Sequence, residues 1–162
     1  MSMLGTLDKV HLCLPYLQKS GFIPETPSQE ELTRLEKIII AAGERIKVAG
    51  DILDYKYLYQ KDNEIIYDEK SLDKCLHKSE AASLILSEYK NKLAQIVSFD
   101  ATTIEIHIKK FAEIKNVKLA LIIHAIRVSI TGTSIGFGLF DTMELLGKES
   151  CIRRIDHALA LK

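Results

Sequence analysis

The segment from Leu119 to Leu159 leaves few architectures open. Its first part, Leu119 to Ile130, is apolar on nearly every side and carries one permanent charge, Arg127. A helix of that kind is surrounded by other elements rather than laid on a surface. Gly132 then ends the apolar run, and Gly132-Thr133-Ser134-Ile135-Gly136-Phe137-Gly138 forms a turn with three glycines. A new helix starts near Leu139, and Gly147 separates it from a last one. The glycine spacing is not that of a nucleotide-binding loop, because no Lys-Ser/Thr pair follows and no strand precedes. What remains is a turn of little side-chain bulk before a fresh helix N-terminus, where backbone amides can approach a base or phosphate. Gly132 also reads as a helix C-cap.

Helical periodicity dominates the rest of the chain. A leading helix covers Asp8 to Lys19, and Ser20 to Pro27 is a linker of turn formers. Ser28 with Glu31 forms a capping box, after which Leu32, Leu35, Ile38, Ile39 and Ala42 recur at helical spacing. Gly43 breaks or bends this helix, and Glu44 to Leu53 is expected to restart it with Ile46, Ala49 and Ile52 inward. Tyr55 to Tyr67 holds four of the six tyrosines and the polar turn Lys61-Asp62-Asn63-Glu64. Those rings either stack on bases or pack a helix end, and packing is the commoner use of a phenol. A short helix over Asp68 to Leu76 follows, then one capped by Ser79 and running to about Ile96. Ser98-Phe99-Asp100 marks a boundary, and Thr102 with Glu105 suggests another capping box, opening a helix to about Ile114. The expected fold is all-α: a leading helix and linker over 1–27, one helical subdomain over 28–98 and a second over 99–162.

Composition excludes several functions. The formal net charge is zero, which argues against indiscriminate nucleic-acid binding. From Ala101 to Lys162, however, nine basic residues face six acids, a bias of +3 compatible with docking one RNA loop. Apolar runs such as Leu119 to Ile123 fall far short of the roughly 20 residues that span a bilayer, so no membrane partner is expected. Three widely spaced cysteines, Cys13, Cys75 and Cys151, suggest reduced thiols in a cytosol. Neither they nor the five scattered histidines form a zinc-ligand pattern, and no nucleophile–base constellation is present.

The order of residues from Ile122 to Leu159 resembles the C-terminal end of bacterial-type glutamyl-tRNA synthetases. There the anticodon-binding region closes with a pattern like L-R-x-A-L-T-G, a turn, G-L-F-x-x-x-x-L-L-G, a basic-acidic pair and R-x-x-x-A-L. Ile126, Arg127, Ile130, Thr131, Gly132, Gly138, Leu139, Phe140, Leu145, Leu146, Gly147, Lys148, Glu149, Arg154, Ala158 and Leu159 match it. Glu44-Arg45-Ile46-Lys47, the cluster Tyr55, Tyr57 and Tyr59, and Tyr67 to Leu72 are similar to a second stretch of the family, and Leu7 to Gly21 to a third. The family's H-I-G-H-like and K-M-S-K-S-like elements are absent. The resemblance thus implies the helical anticodon-binding cage of a class I synthetase. It implies recognition of the anticodon loop of glutamate tRNA by a cytoplasmic monomer, partnered by the enzyme's catalytic half. That half would carry the ATP and magnesium; no cofactor is expected in this chain. The alternative is a free-standing helical interaction module without RNA affinity.

The resemblance also nominates RNA-binding residues. Arg127 would meet the anticodon, against the plainer role of an ion pair with Asp141 or Glu144. Gly136, Phe137 and Leu139 belong to the turn that follows; family members usually have proline at the position of Phe137 and often a polar residue at that of Gly136. Phe137 is open to two roles, stacking on a base or plugging the core. Arg45 and Lys47 lie on the helix resembling the one that reaches the third anticodon base. Lys148 and Arg154 stand on the last helix, with Glu149 placed for a local pair.

Overall fold

The structure, a computed structural model, describes residues 1–161 and consists of two compact units, Met1–Gln60 and Lys61 onward. Among the described residues there is no strand.

In the first unit, α1 (Thr6–Lys19) buries Val10, Cys13 and Leu17, three and four residues apart on one face. The chain then turns back: Phe22 donates to the Leu17 carbonyl, and the Gln18 amide spans the carbonyls of Pro24 and Glu25 at 3.0 Å each. Helix α2 (Gln29–Ala42) opens with both halves of the expected capping box, Glu31 N to Ser28 Oγ and Ser28 N to Glu31 Oε2. Gly43, at φ 57°, ends it.

The α-helix expected over Glu44 to Leu53 does not form. A single 3-10 turn, Gly43–Arg45, precedes an extended Ile46 and a second 3-10 segment, Ala49–Leu58. The cause is Asp51, whose carboxylate accepts from the amides of Lys47 and Val48 at 2.8 and 3.0 Å and so rewards a turn where the helix would have continued. Ile46 and Ile52 are nonetheless buried. The tyrosine rings pack: Tyr55 meets Tyr57 edge to face, and Tyr59 lies against Phe22 beneath the Arg34 guanidinium.

The second unit is built around α6 (Leu119–Thr131), whose Ile122, Ala125, Ile126, Val128 and Ile130 are wholly buried, as its all-round apolarity demands. Against it pack α4 (Glu80–Leu93), α5 (Ala101–Lys115), α7 (Leu139–Leu146) and α8 (Lys148–Ala160). So does α3 (Glu69–Leu72), which widens into a π-helical turn over Asp73–His77. Ser79 caps α4 as expected. Helix α5 is capped by Asp100, which accepts from the Thr103 amide at 2.9 Å and from its hydroxyl, so the Thr102–Glu105 box is superseded. The boundary expected near residue 98 falls inside this unit. Leu86, Tyr89 and Leu93 of α4 share one core with Ile104, Ile126 and Ile155, so Ser98 to Asp100 is a turn between helices rather than a linker. No helix among the described residues is long and apolar enough to cross a membrane.

Candidate nucleic-acid interface

The turn after α6 is shaped by the chain's own backbone. Gly132 has φ 82°, and its carbonyl accepts from the Asp68 amide at 2.8 Å. A Cβ there would lie 2.1 Å from the Ile66 carbonyl oxygen. The glycine therefore admits residues 65–68 as well as capping the helix. The Tyr67 hydroxyl donates to the Ser129 carbonyl at 3.0 Å, lacing the same segment to the last turn of α6. The Thr131 hydroxyl donates to the Arg127 carbonyl and accepts from the Thr133 amide, which sends the chain outward to exposed Ser134 and Ile135.

Arg127 is half-buried on α6, and its Nη1 donates to the Phe137 carbonyl at 2.8 Å. That bond fixes the guanidinium against the far side of the turn. Glu144, one of the two acids considered as its ion-pair partner, instead accepts from the Ala101 amide at 2.9 Å. Phe137 resolves to one of its two roles, for its ring is 0% exposed. Extracting a buried phenylalanine forfeits about 2–3 kcal/mol of burial and leaves a cavity besides. Stacking on a base returns only about 1–3 kcal/mol. Phe137 is a core plug, and Leu139 is likewise buried, so neither offers its side chain to a ligand. Gly136 is extended and partly exposed, next to the Phe137 carbonyl that Arg127 engages.

Of the basic residues on α8, Arg154 departs most from the RNA-binding role. It is 1% exposed, with Nε on Asp62 Oδ1 at 2.7 Å and Nη1 on the Ile130 carbonyl at 2.8 Å. Asp62 is the hub: its other oxygen accepts from Arg153 at 2.6 Å, and the Ser150 hydroxyl donates to it as well. Burial raises the Asp62 pKa, but hydrogen bonds from Ser150, Arg154 and Arg153 outweigh that and hold it below the usual carboxylate value. Sequence reasoning passed over Asp62 because its partners stand some ninety residues downstream, where no local spacing signals them. Lys148 is also committed, its Nζ donating to the Ile96 carbonyl at 2.9 Å. Arg45 and Lys47 are exposed, on and just after the 3-10 turn of the first unit.

Cys151 is a buried residue, its thiol pushed up to about 12 by burial. No group of three or more His, Cys, Asp or Glu among the described residues could hold a metal ion.

A family profile described as "Anticodon binding domain" matches residues 8–159. The chain belongs to this family. The anticodon-binding domain is 32% identical over 155 residues to a glutamate–tRNA ligase of Moorella thermoacetica, covering 95% of this chain and 31% of the relative. It is 35% identical over 154 residues to glutamate–tRNA ligase 1 of Caldanaerobacter subterraneus subsp. tengcongensis, covering 94% and 31%. The chain thus spans about a third of the length of these curated relatives. Its fold is similar to that of a glutamate–tRNA ligase from Elizabethkingia meningosepticum solved in complex with its amino acid. The TM-score is 0.82 and the identity 25%, over 99% of this chain and 30% of that one. The all-α expectation and the resemblance stated from the sequence both hold for the anticodon-binding domain.

Proposed function

We propose that this domain reads the anticodon loop of glutamate tRNA for a glutamate–tRNA ligase whose ATP- and magnesium-dependent chemistry is carried by other residues of the parent enzyme. The parent acts as a cytoplasmic monomer, and the catalytic half is the domain's working neighbour. The observation that carries this reading is the position of Arg127. A planar guanidinium, oriented by the Phe137 carbonyl beside a turn of small residues, suits bidentate contact with the edge of an unstacked base. Membership of the anticodon-binding family and the +3 bias of residues 101–162 support it. The Gly136 backbone belongs to the same surface, which Phe137, Leu139, Lys148 and Arg154 shape from within, and the exposed Arg45 and Lys47 of the first unit are assigned to RNA as a separate contact.

The test is binding of anticodon stem-loops with the cognate sequence and with single bases changed. Arg127→Lys keeps the charge but loses the fork, so it should cost on the order of 1 to 3 kcal/mol on the cognate loop and relax discrimination at one base. Lys110→Ala, at an exposed position of α5, should weaken every loop about equally. A folded Arg127→Lys protein that binds every loop like wild type would place base reading elsewhere. Absence of RNA binding by the wild type even at low salt would instead favour the free-standing interaction module.

A further inference from the structure

A groove of about 400 Å³ opens on the second unit, lined by Lys70, Ser71, Lys74, Cys75, His124 and Ser134. Such a volume falls within the range of small-ligand pockets, about 300–1,000 Å³. Lys70 and Lys74 are four residues apart in the segment where α3 runs into the π turn, so both ammonium groups reach the same side. Glu69 does not line the groove, and the two aspartates beside the lysines are engaged elsewhere. Asp68 accepts from the Ser71 amide at 2.9 Å, and Asp73 pairs with Lys78 at 3.1 Å and faces His77 at 3.9 Å. The Ser71 hydroxyl donates to that of Ser134 at 3.1 Å, tying the helical wall of the groove to the turn after α6. His124 is exposed on α6 three residues before Arg127, on the same face, and its ring offers an N–H donor in either protonation state. Burial pushes the Cys75 thiol up, so no thiolate opposes an anion.

The lining therefore offers two cations and several donors, with no carboxylate and no aromatic face apart from the imidazole. Lysines are point charges that hold phosphates without discriminating among bases. We infer that this groove seats a backbone phosphate of the RNA loop, with Lys70 and Lys74 supplying the charge and His124 and Ser134 the hydrogen bonds. The inference rests on the reading of the domain as an RNA binder and adds to it a positioning site beside the residue that reads the base.

The experiment measures binding of the full 162-residue chain to an anticodon stem-loop across a salt series. Wild type, Lys70→Gln/Lys74→Gln and Lys70→Arg/Lys74→Arg are compared, each checked for an unchanged unfolding temperature. The glutamine pair should bind about tenfold more weakly at low salt, the loss of a charge-assisted contact. Its log–log salt slope should be shallower by about 0.7, one phosphate on a single strand. Discrimination between cognate and changed loops should be untouched, and the arginine pair should keep the wild-type slope. Wild-type slope and affinity in the glutamine pair would overturn the inference while leaving the functional reading intact. No RNA binding by wild type would overturn both. Inorganic phosphate bound by the wild type and lost in the glutamine pair, while the two proteins bind the RNA loop alike, would make the groove a free-phosphate site and overturn the assignment to RNA.

Discussion

The lip of the 132–138 turn and the buried clamp at Asp62 are each built around an arginine, and each arginine donates to a backbone carbonyl of the same stretch of chain, Phe137 for one and Ile130 for the other. They differ in what surrounds the charge. Arg154 is sealed inside, so its guanidinium must be matched by a carboxylate, and Asp62 is brought from the other end of the unit to do so. Arg127 is only half-buried, and part of its surface stays in reach of a ligand. An enclosed charge serves the fold, whereas one at an edge can serve recognition. Both match the family pattern in the sequence, so that pattern alone does not separate the two uses.

The sharpest way to break this comparison is stability. Arg154→Ala strips Asp62 of its inner partner and leaves the Ile130 carbonyl unpaired, and should cost about 3–5 kcal/mol in urea or thermal unfolding. Arg127→Ala removes a partly exposed bond to a neutral carbonyl and should cost clearly less, on the order of 1.5 kcal/mol. Equal losses would mean that Arg127 is as structural as Arg154.

Next in size is the seam beneath the lip. Gly132→Ala places a methyl 2.1 Å from the Ile66 oxygen at a φ of 82°, and should cost about 2 kcal/mol or more. Gly21→Ala shares the positive φ but has nothing within 4 Å, and should cost only about 1 kcal/mol. A difference near zero would show that the seam yields, and that the lip is less firmly set than the clamp.

The smallest effect is the pH dependence of the clamp. The Asp62 pKa is lowered in the folded state, so its contribution is fully present above the unfolded value and is lost as pH falls through the folded one. Stability of the wild type should therefore decline from about pH 5 downward, with part of the decline absent in Asp62→Asn. Asp51, Asp68 and Asp100 are lowered in the same direction, so the difference between the two proteins carries the information. Parallel pH profiles would mean that Asp62 does not hold Arg154 by its charge.

Features set by nearby residues were legible from the sequence, and features set by distant ones were not. The Ser28–Glu31 box and the Ser79 cap were legible because each is completed within four residues. The apolar circumference of α6 announced a central helix. The same capping rule failed at Thr102 because Asp100, two residues earlier, is the stronger acceptor and captures the Thr103 amide. The continuation past Gly43 failed because Asp51 bonds backward to Lys47 and Val48 rather than letting Glu44 to Leu53 wind as one helix. At the candidate site, Arg127 and the turn were nominated from their order in the chain. The burial of Phe137 and Arg154 required knowing what packs over them, and the groove beside Lys70 exists only because residues 70–75 and 134 meet in space.

The lacing of residues 65–68 to the end of α6 also sets an order of assembly. Tyr67 and Ser129 are 62 residues apart, and Asp62 and Arg154 are 92 apart, so both closures are of high contact order and slow compared with helix formation. As the chain emerges from its N-terminus, Asp62 and Ile66 wait for partners that have not yet been made. The lip around Arg127 takes its shape among the last parts of the molecule, once α6 and α8 have closed over that waiting segment. A chain interrupted before α8 would lack Arg153 and Arg154, so Asp62 would have neither guanidinium and the segment beneath the lip would stay unpinned at that end.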